Sequence, residues 1–145
     1  MADINLIERY IQSNAFGRLI GMEFKILKPG EIEYHLRVKA DHLATPQSAH
    51  GGLISALVDG ALGTAGLSAV YTENKVVSTI EYKINFLSPV YLGDVIIASA
   101  RVESLGKRIL VISCDVRCTN RENTMVAKAL GTLMRIRQRR PVINS

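Results

Sequence analysis

An α+β fold, in which a curved antiparallel sheet wraps around one long central helix, is what this 145-residue sequence predicts. Three observations lead there. Several segments alternate apolar and polar residues with the period of half-buried strands. Those segments are grouped rather than alternating one by one with helices, which excludes a parallel doubly wound sheet. Residues 51–71 form a helical stretch that is apolar almost all round, and such a helix has to be covered on every side.

In residues 4–20, Ile4, Ile7, Tyr10 or Ile11, Ala15 and Leu19 recur at three- and four-residue intervals, which predicts one amphipathic helix over an open surface of the core. Residues 22–27 and 32–38 flank the turn signal Pro29-Gly30. In the second of them Ile32, Tyr34, Leu36 and Val38 alternate with Glu33, His35 and Arg37, so the pair reads as a hairpin. A polar loop containing Pro46 leads into the central helix. Residues 76–87 then alternate Ile80, Tyr82, Ile84 and Phe86 with Glu81, Lys83 and Asn85 until Ser88-Pro89 stops them. Strands at 94–103, 108–118 and 124–136 follow, joined by Leu105-Gly106-Lys107 and by residues 119–123. Connections this short favour antiparallel hairpins.

The length fits one domain over residues 1–145, with 48% hydrophobic and 21% charged residues as in an ordinary globular protein. The formal charge of +5 comes mostly from Arg135, Arg137, Arg139 and Arg140, at and beside a basic tail at 137–145. With no basic aromatic strand, recognition helix or zinc spacing, that charge suits a solvated tail or a phosphorylated small ligand better than nucleic acid. Cys114 and Cys118 sit four apart in a strand, roughly 13 Å between Cα atoms, too far for a disulfide, and read as reduced core thiols. Residues 1–10 carry charges and no uninterrupted apolar run, so a cytoplasmic location is expected. Three scattered histidines predict no metal and no cofactor. His35 reads as a solvated strand residue and His42 as a loop residue.

Residues 51–71 are long enough to span a bilayer. A carboxylate at the centre, Asp59, would cost about 2.5–3.5 kcal/mol there, and at least five amphipathic strands need a helix to pack against, so no membrane is expected. Five glycines weaken the helix. Gly51 and Gly52 leave N–H groups open at its positive end, where an electron-rich oxygen can approach. Gly60, Gly63 and Gly66 are expected to admit strands or a second helix at close range. Asp59 has two readings: a structural carboxylate reaching solvent or neighbouring strands, or a general base or nucleophile in an apolar site. His50 and Gly51 lie eight or nine residues before it, about 12–13 Å along the axis, so the two ends cannot serve one reacting atom from one chain. A catalytic Asp59 therefore predicts a dimer with shared sites.

The run His42-Leu43-Ala44-Thr45-Pro46-Gln47-Ser48-Ala49-His50-Gly51-Gly52, followed by Leu57-Val58-Asp59, resembles the signature of hotdog-fold acyl-CoA thioesterases of the phenylacetate-degradation type, in the 4-hydroxybenzoyl-CoA thioesterase-like superfamily. Residues 79–94 and Leu105-Gly106-Lys107-Arg108 resemble later parts of the same family, and the likeness extends over about 22–136. It implies a hotdog-fold homodimer, commonly paired into homotetramers, that hydrolyses acyl-CoA thioesters without metal, coenzyme A being part of the substrate. Asp59 is implied to activate water or attack the carbonyl, and the Gly51 N–H to polarise the thioester oxygen. Two positions depart from the pattern, Ala44 standing where the family has Asn and Gln47 where it has Gly.

Around that centre the candidates are His50, which orients the loop, and Thr79, whose position matches a site hydroxyl in relatives. Simple alternation sets Thr79 on the face opposite Ile80, Tyr82 and Ile84, reaching a site only if that face meets a partner subunit. Gln47, Gly52, the segment Phe86, Leu87, Ser88, Pro89, Val90 and Tyr91, and the basic turn Lys107 and Arg108 are candidates for holding the substrate, plain solvation being the alternative for the turn. Arg121 is a further candidate. An acyl-CoA binder without turnover, suggested by Ala44, and a purely structural domain are the rival functions.

Overall fold

A computed structural model describes residues 4–73 and 75–137. All but the first residue of the basic tail, including Arg139 and Arg140, lies outside them. The elements run α1 (Ile4–Gln12), α2 (Ala15–Ile20), β1 (Glu23–Lys28), β2 (Glu31–Arg37), α3 (Gly51–Val70), β3 (Lys75–Phe86), β4 (Val95–Leu105), β5 (Ile109–Cys118) and β6 (Thr124–Arg137). One antiparallel sheet of order β1-β2-β4-β5-β6-β3 packs around α3, which is the hotdog arrangement. The hairpins β1–β2, β4–β5 and β5–β6 fall where alternation and turn residues put them, the first with Gly30 at φ 85° in its turn.

Helix α3 is as long and apolar as a membrane span, yet 67% of its most apolar window is buried inside the fold. Leu57, Val58, Ala61, Leu62 and Ala65 are fully covered. Close approach by the strands needs glycine: a Cβ on Gly66 would come within 3.1–3.4 Å of Ile112, Leu133 and Val77, and one on Gly131 of β6 within 2.7 Å of Leu62. Gly60 likewise faces Met22 at 3.1 Å, whereas a Cβ on Gly63 would meet nothing within 4 Å. The expectation that Gly63 admits a packed neighbour is therefore corrected.

The single helix expected over residues 4–20 is two. The Asn14 side chain accepts from the Gly17 N–H at 3.1 Å and starts α2, so the chain turns where an Asn cap outcompetes helical continuation. Ile7 and Ile11 of the predicted apolar stripe enter the core, whereas Tyr10 is 43% and Leu19 81% exposed.

A second correction concerns β3. It pairs with β6 through Thr79↔Leu133 and Glu81↔Thr132, leaving Ile80 as an unpaired bulge residue. A bulge restarts the two-residue alternation. Val77 and Thr79 before it and Tyr82 and Ile84 after it consequently share the helix-facing side, while Ile80 is 53% exposed. Alternation counted through the bulge puts Thr79 on the wrong face.

Cys114 and Cys118 are free and buried, and burial, reinforced by Asp115, pushes the Cys114 thiol up to about 12. The loop between β3 and β4 is pinned by Asp94, which is 5% exposed. Its carboxylate accepts from the Tyr91 N–H at 2.8 Å and from Arg121 Nε at 2.9 and 3.0 Å, and Arg121 also donates to the Pro89 carbonyl at 2.8 Å. Burial alone would raise the Asp94 pKa, but the Arg121 and Tyr91 hydrogen bonds outweigh it and hold the carboxyl below the usual carboxylate range.

A carboxylate with a depressed folded pKa contributes stability fully above its unfolded value, about 3.9, and loses that contribution as the pH falls through its folded value. Acidification from pH 5 to pH 3 is thus expected to lower the urea midpoint of the wild type more than that of Asp94→Asn. At pH 7, Arg121→Ala is expected to cost about 1–3 kcal/mol by leaving a buried acceptor short of its donor. Urea unfolding followed by circular dichroism checks both.

Candidate active site

Asp59 lies on the part of α3 that the sheet leaves open, and its carboxylate is exposed. The Thr79 hydroxyl donates to Asp59 Oδ1 at 2.9 Å within the same chain. The bulge at Ile80 makes this contact possible by turning Thr79 toward the helix. Beside the pair opens a cleft of about 350 Å³ between α3 and α1, lined among others by Tyr10, Ile11, Tyr34, Gly63 and Val77. The Tyr34 hydroxyl pairs with Thr64 Oγ1 at 3.0 Å, and burial raises its pKa with Thr64 pulling partly the other way. The apolar surroundings expected around a catalytic carboxylate are absent from a single chain here.

The start of α3 is built differently. His50 is its N-cap, with Nδ1 accepting from the Gly52 N–H at 2.7 Å, so the neutral ring carries its proton on Nε2. A Cβ on Gly52 would stand 2.8 Å from that nitrogen, so glycine there makes room for the cap. The Gly52 N–H is accordingly committed to His50 rather than open to substrate. The Gly51 N–H has no acceptor among the described residues and points from the positive end of the helix. The loop before it is locked: the His50 N–H donates to the His42 carbonyl at 2.8 Å, and buried His42 accepts the Lys39 N–H on Nδ1 at 3.0 Å. His42 is a framework residue. The Gln47 carbonyl accepts from Leu92 at 3.1 Å, and its side chain is exposed in the loop.

A second cleft of about 340 Å³ adjoins Gly51 and is lined by Ile54 and by Phe86, Leu87, Ser88, Pro89 and Val90. Phe86 and Leu87 are more than half exposed, whereas the Val90 side chain is buried and its carbonyl holds the Ala49 N–H at 2.8 Å. Tyr91 lies outside this lining, its ring stacked against the Arg121 guanidinium at 5.0 Å. Arg121 is thereby occupied by Asp94, Pro89 and Tyr91, which corrects its reading as a free cation for the substrate. Lys107 and Arg108 are exposed on the β4–β5 turn. The Arg108 carbonyl accepts from Arg135, which pairs with Val77, so that turn stands about 30 Å along β3 from Phe86.

The two clefts share no residue, and Gly51 and Asp59, one in each, are eight helical residues, about 12 Å, apart on α3. One chain therefore presents the Asp59 carboxylate and the Gly51 N–H in two separate clefts. The Tyr34–Thr64 pair, the cap on Gly52 and the Asp94–Arg121 anchor have no motif of their own. Only the alternation of β2 and the helical spacing of Gly60 and Thr64 could have hinted at the first. Among the described residues no three His, Cys, Asp or Glu side chains converge to hold a metal ion.

The sequence matches the thioesterase superfamily over residues 47–124. The acyl-coenzyme A thioesterase PaaI of Escherichia coli strain K12 is 30% identical over 129 residues, 86% of this chain and 85% of that protein. The acyl-coenzyme A thioesterase THEM4 of Bos taurus is 33% identical over 91 residues, 63% of this chain, and the chain spans 35% of that longer protein. The solved structure of the E. coli PaaI protein superposes with a TM-score of 0.82 at 26% identity, covering 90% of this chain and 91% of that one. Fold, signature and relatives agree: the chain belongs to the thioesterase superfamily and is a hotdog thioester hydrolase related to acyl-CoA thioesterases.

Proposed function

We propose that the chain hydrolyses an acyl-CoA to free acid and coenzyme A in sites that two copies build together, Asp59 from one and Gly51 from the other. The observation that carries this reading is the separation of the exposed carboxylate and the unpaired N–H into two clefts without a common residue. Strand β3 supplies a means of joining them. It is an edge of the sheet, twelve residues long, with Ile80 and Phe86 exposed on it and Leu87 exposed just after it, and such an edge is prone to pair with another chain. Antiparallel pairing of β3 with its copy about a two-fold axis at Lys83, with Ile80 again left out of the register, would set Thr79 opposite Phe86 of the second copy, both on the helix-facing side. Each Asp59 cleft then faces the Gly51 cleft of the other chain.

In that arrangement Asp59, held through Oδ1 by Thr79, takes a proton from a water that adds to the carbonyl carbon, or adds to that carbon itself and forms an anhydride that water then hydrolyses to the free acid. The thioester oxygen gathers negative charge and is met by the Gly51 N–H at the positive helix end. Collapse of the tetrahedral species expels the coenzyme A thiolate, which leaves readily because thiols ionise near 8.5. Phe86 to Val90 would flank the pantetheine arm, with Lys107 and Arg108, at the Asp59 end, beside the phosphates. A binder without turnover is the second reading, supported by Ala44, which offers no amide to position water, and by the exposed Gln47 side chain.

Acyl-CoA hydrolysis followed by thiol release tests the assignment. Asp59→Asn is expected to lower kcat by about 10²–10⁴, and an unchanged rate overturns its role. Gly51→Pro removes the N–H at a position where proline starts helices well, and His50 already has the extended backbone a following proline requires (φ −66°, ψ 136°). It is expected to cost about 10²–10³ in kcat. Refolding the two inactive variants together should restore activity toward a quarter of wild type, since each mixed dimer holds one intact site. No recovery overturns the shared site, and tight coenzyme A binding without turnover of any substrate selects the binder.

A further inference from the structure

Resting on the proposed function, we infer that Gly63 and the Asp59 cleft set the length of the acyl group, admitting a straight apolar chain of up to about ten carbons that runs along α3 from Asp59 toward Leu67. Glycine is poor in a helix interior, and a retained one needs a reason. Gly60 and Gly66 have theirs in Met22 and in the strands, whereas Gly63 faces empty space, with nothing within 4 Å of where a Cβ would stand. That space is the cleft of about 350 Å³ that begins at Asp59. Asp59, Gly63 and Leu67 recur every four residues and so share one face of α3.

The span from Asp59 to Leu67 is about 12 Å at 1.5 Å per residue. Carbon–carbon bonds of about 1.5 Å at tetrahedral angles advance an extended chain by about 1.25 Å each, so nine or ten carbons fill it. Ile11 of α1 and Val77 of β3 give the groove apolar walls. The Tyr34 and Thr64 hydroxyls inside it pair with each other at 3.0 Å, one donating and the other accepting. At the far end Tyr10 of α1 stands against Tyr71, ring centroids 6.3 Å apart, and forms the stop.

The test is kcat/KM for straight-chain acyl-CoAs from acetyl to palmitoyl on the wild type, Gly63→Leu, Gly63→Ala and Tyr10→Ala. The wild type is expected to gain up to about fourfold per added methylene until about ten carbons and then to fall. Gly63→Leu should cut the decanoyl-to-butanoyl ratio at least tenfold. Gly63→Ala, which meets no steric obstacle, should cut it less while raising the Tm by a few degrees, through the better helix propensity of alanine. Tyr10→Ala, at a residue 43% exposed, should move the upper limit toward dodecanoyl and palmitoyl. Hydrolysis with a flat length profile, or ratios unchanged in all three variants, overturns the inference and leaves the thioesterase reading standing. A changed oligomeric state in Gly63→Leu by size-exclusion chromatography with an unchanged ratio overturns it too, since the glycine would then admit a neighbouring chain. Absence of hydrolysis on every acyl-CoA overturns the proposed function and the length gauge together.

Discussion

Helix α3 buries twelve of its twenty residues, and the rest of the structure depends on that burial. Side chains such as Leu57, Val58 and Leu62, each contributing about 1.5–3 kcal/mol on leaving water, have no other cover than a sheet curved around them. Gly66 and Gly131 let the strands come close enough to touch the helix. The same burial decides where chemistry can happen. The sheet takes most of the circumference of α3, so a charged residue on this helix can stand only along the remaining strip, and Asp59 does.

Two local devices shape the clefts along that strip. At the helix start, His50 binds the Gly52 N–H and leaves the Gly51 N–H free, so capping selects one donor rather than exposing several. Near the middle, the bulge at Ile80 rotates Thr79 inward to fix one oxygen of Asp59. The first is a side-chain cap that satisfies a helix-end N–H, and the second is an extra backbone residue that interrupts the strand ladder. Asp94 and Arg121 help to hold the β3–β4 loop that walls the cleft at Gly51. A cation that looks available for phosphate is thus consumed in shaping the cleft wall.

The helix α1 has a corresponding part at the other half. Asn14 ends it early and sends α2 away, so α1 lies beside the open strip instead of continuing across the molecule. Its Tyr10 and Ile11 wall the cleft at Asp59, while Phe16 and Leu19 of α2 stay exposed. Periodicity read the two helices as one because both have apolar residues at helical spacing. An Asn side chain that caps in place of continuing is a choice between two local hydrogen-bonding patterns, and spacing does not register it.

By itself the sequence determined the α+β architecture, the central helix to within a residue or two, and the impossibility of one chain using Gly51 and Asp59 on a single atom. Hydrophobic periodicity and helix rise act locally and can be counted from residue positions. Its His-Gly-Gly and Asp59 spacing also carried the family likeness. The tertiary structure decided which face of β3 Thr79 occupies, which glycines pack and which faces a cleft, and which cations are already paired. Those outcomes follow from cross-strand register and from contacts between residues far apart in sequence. A one-residue bulge reverses every inside-and-outside assignment before it relative to those after, and only the partner strand determines where the bulge falls.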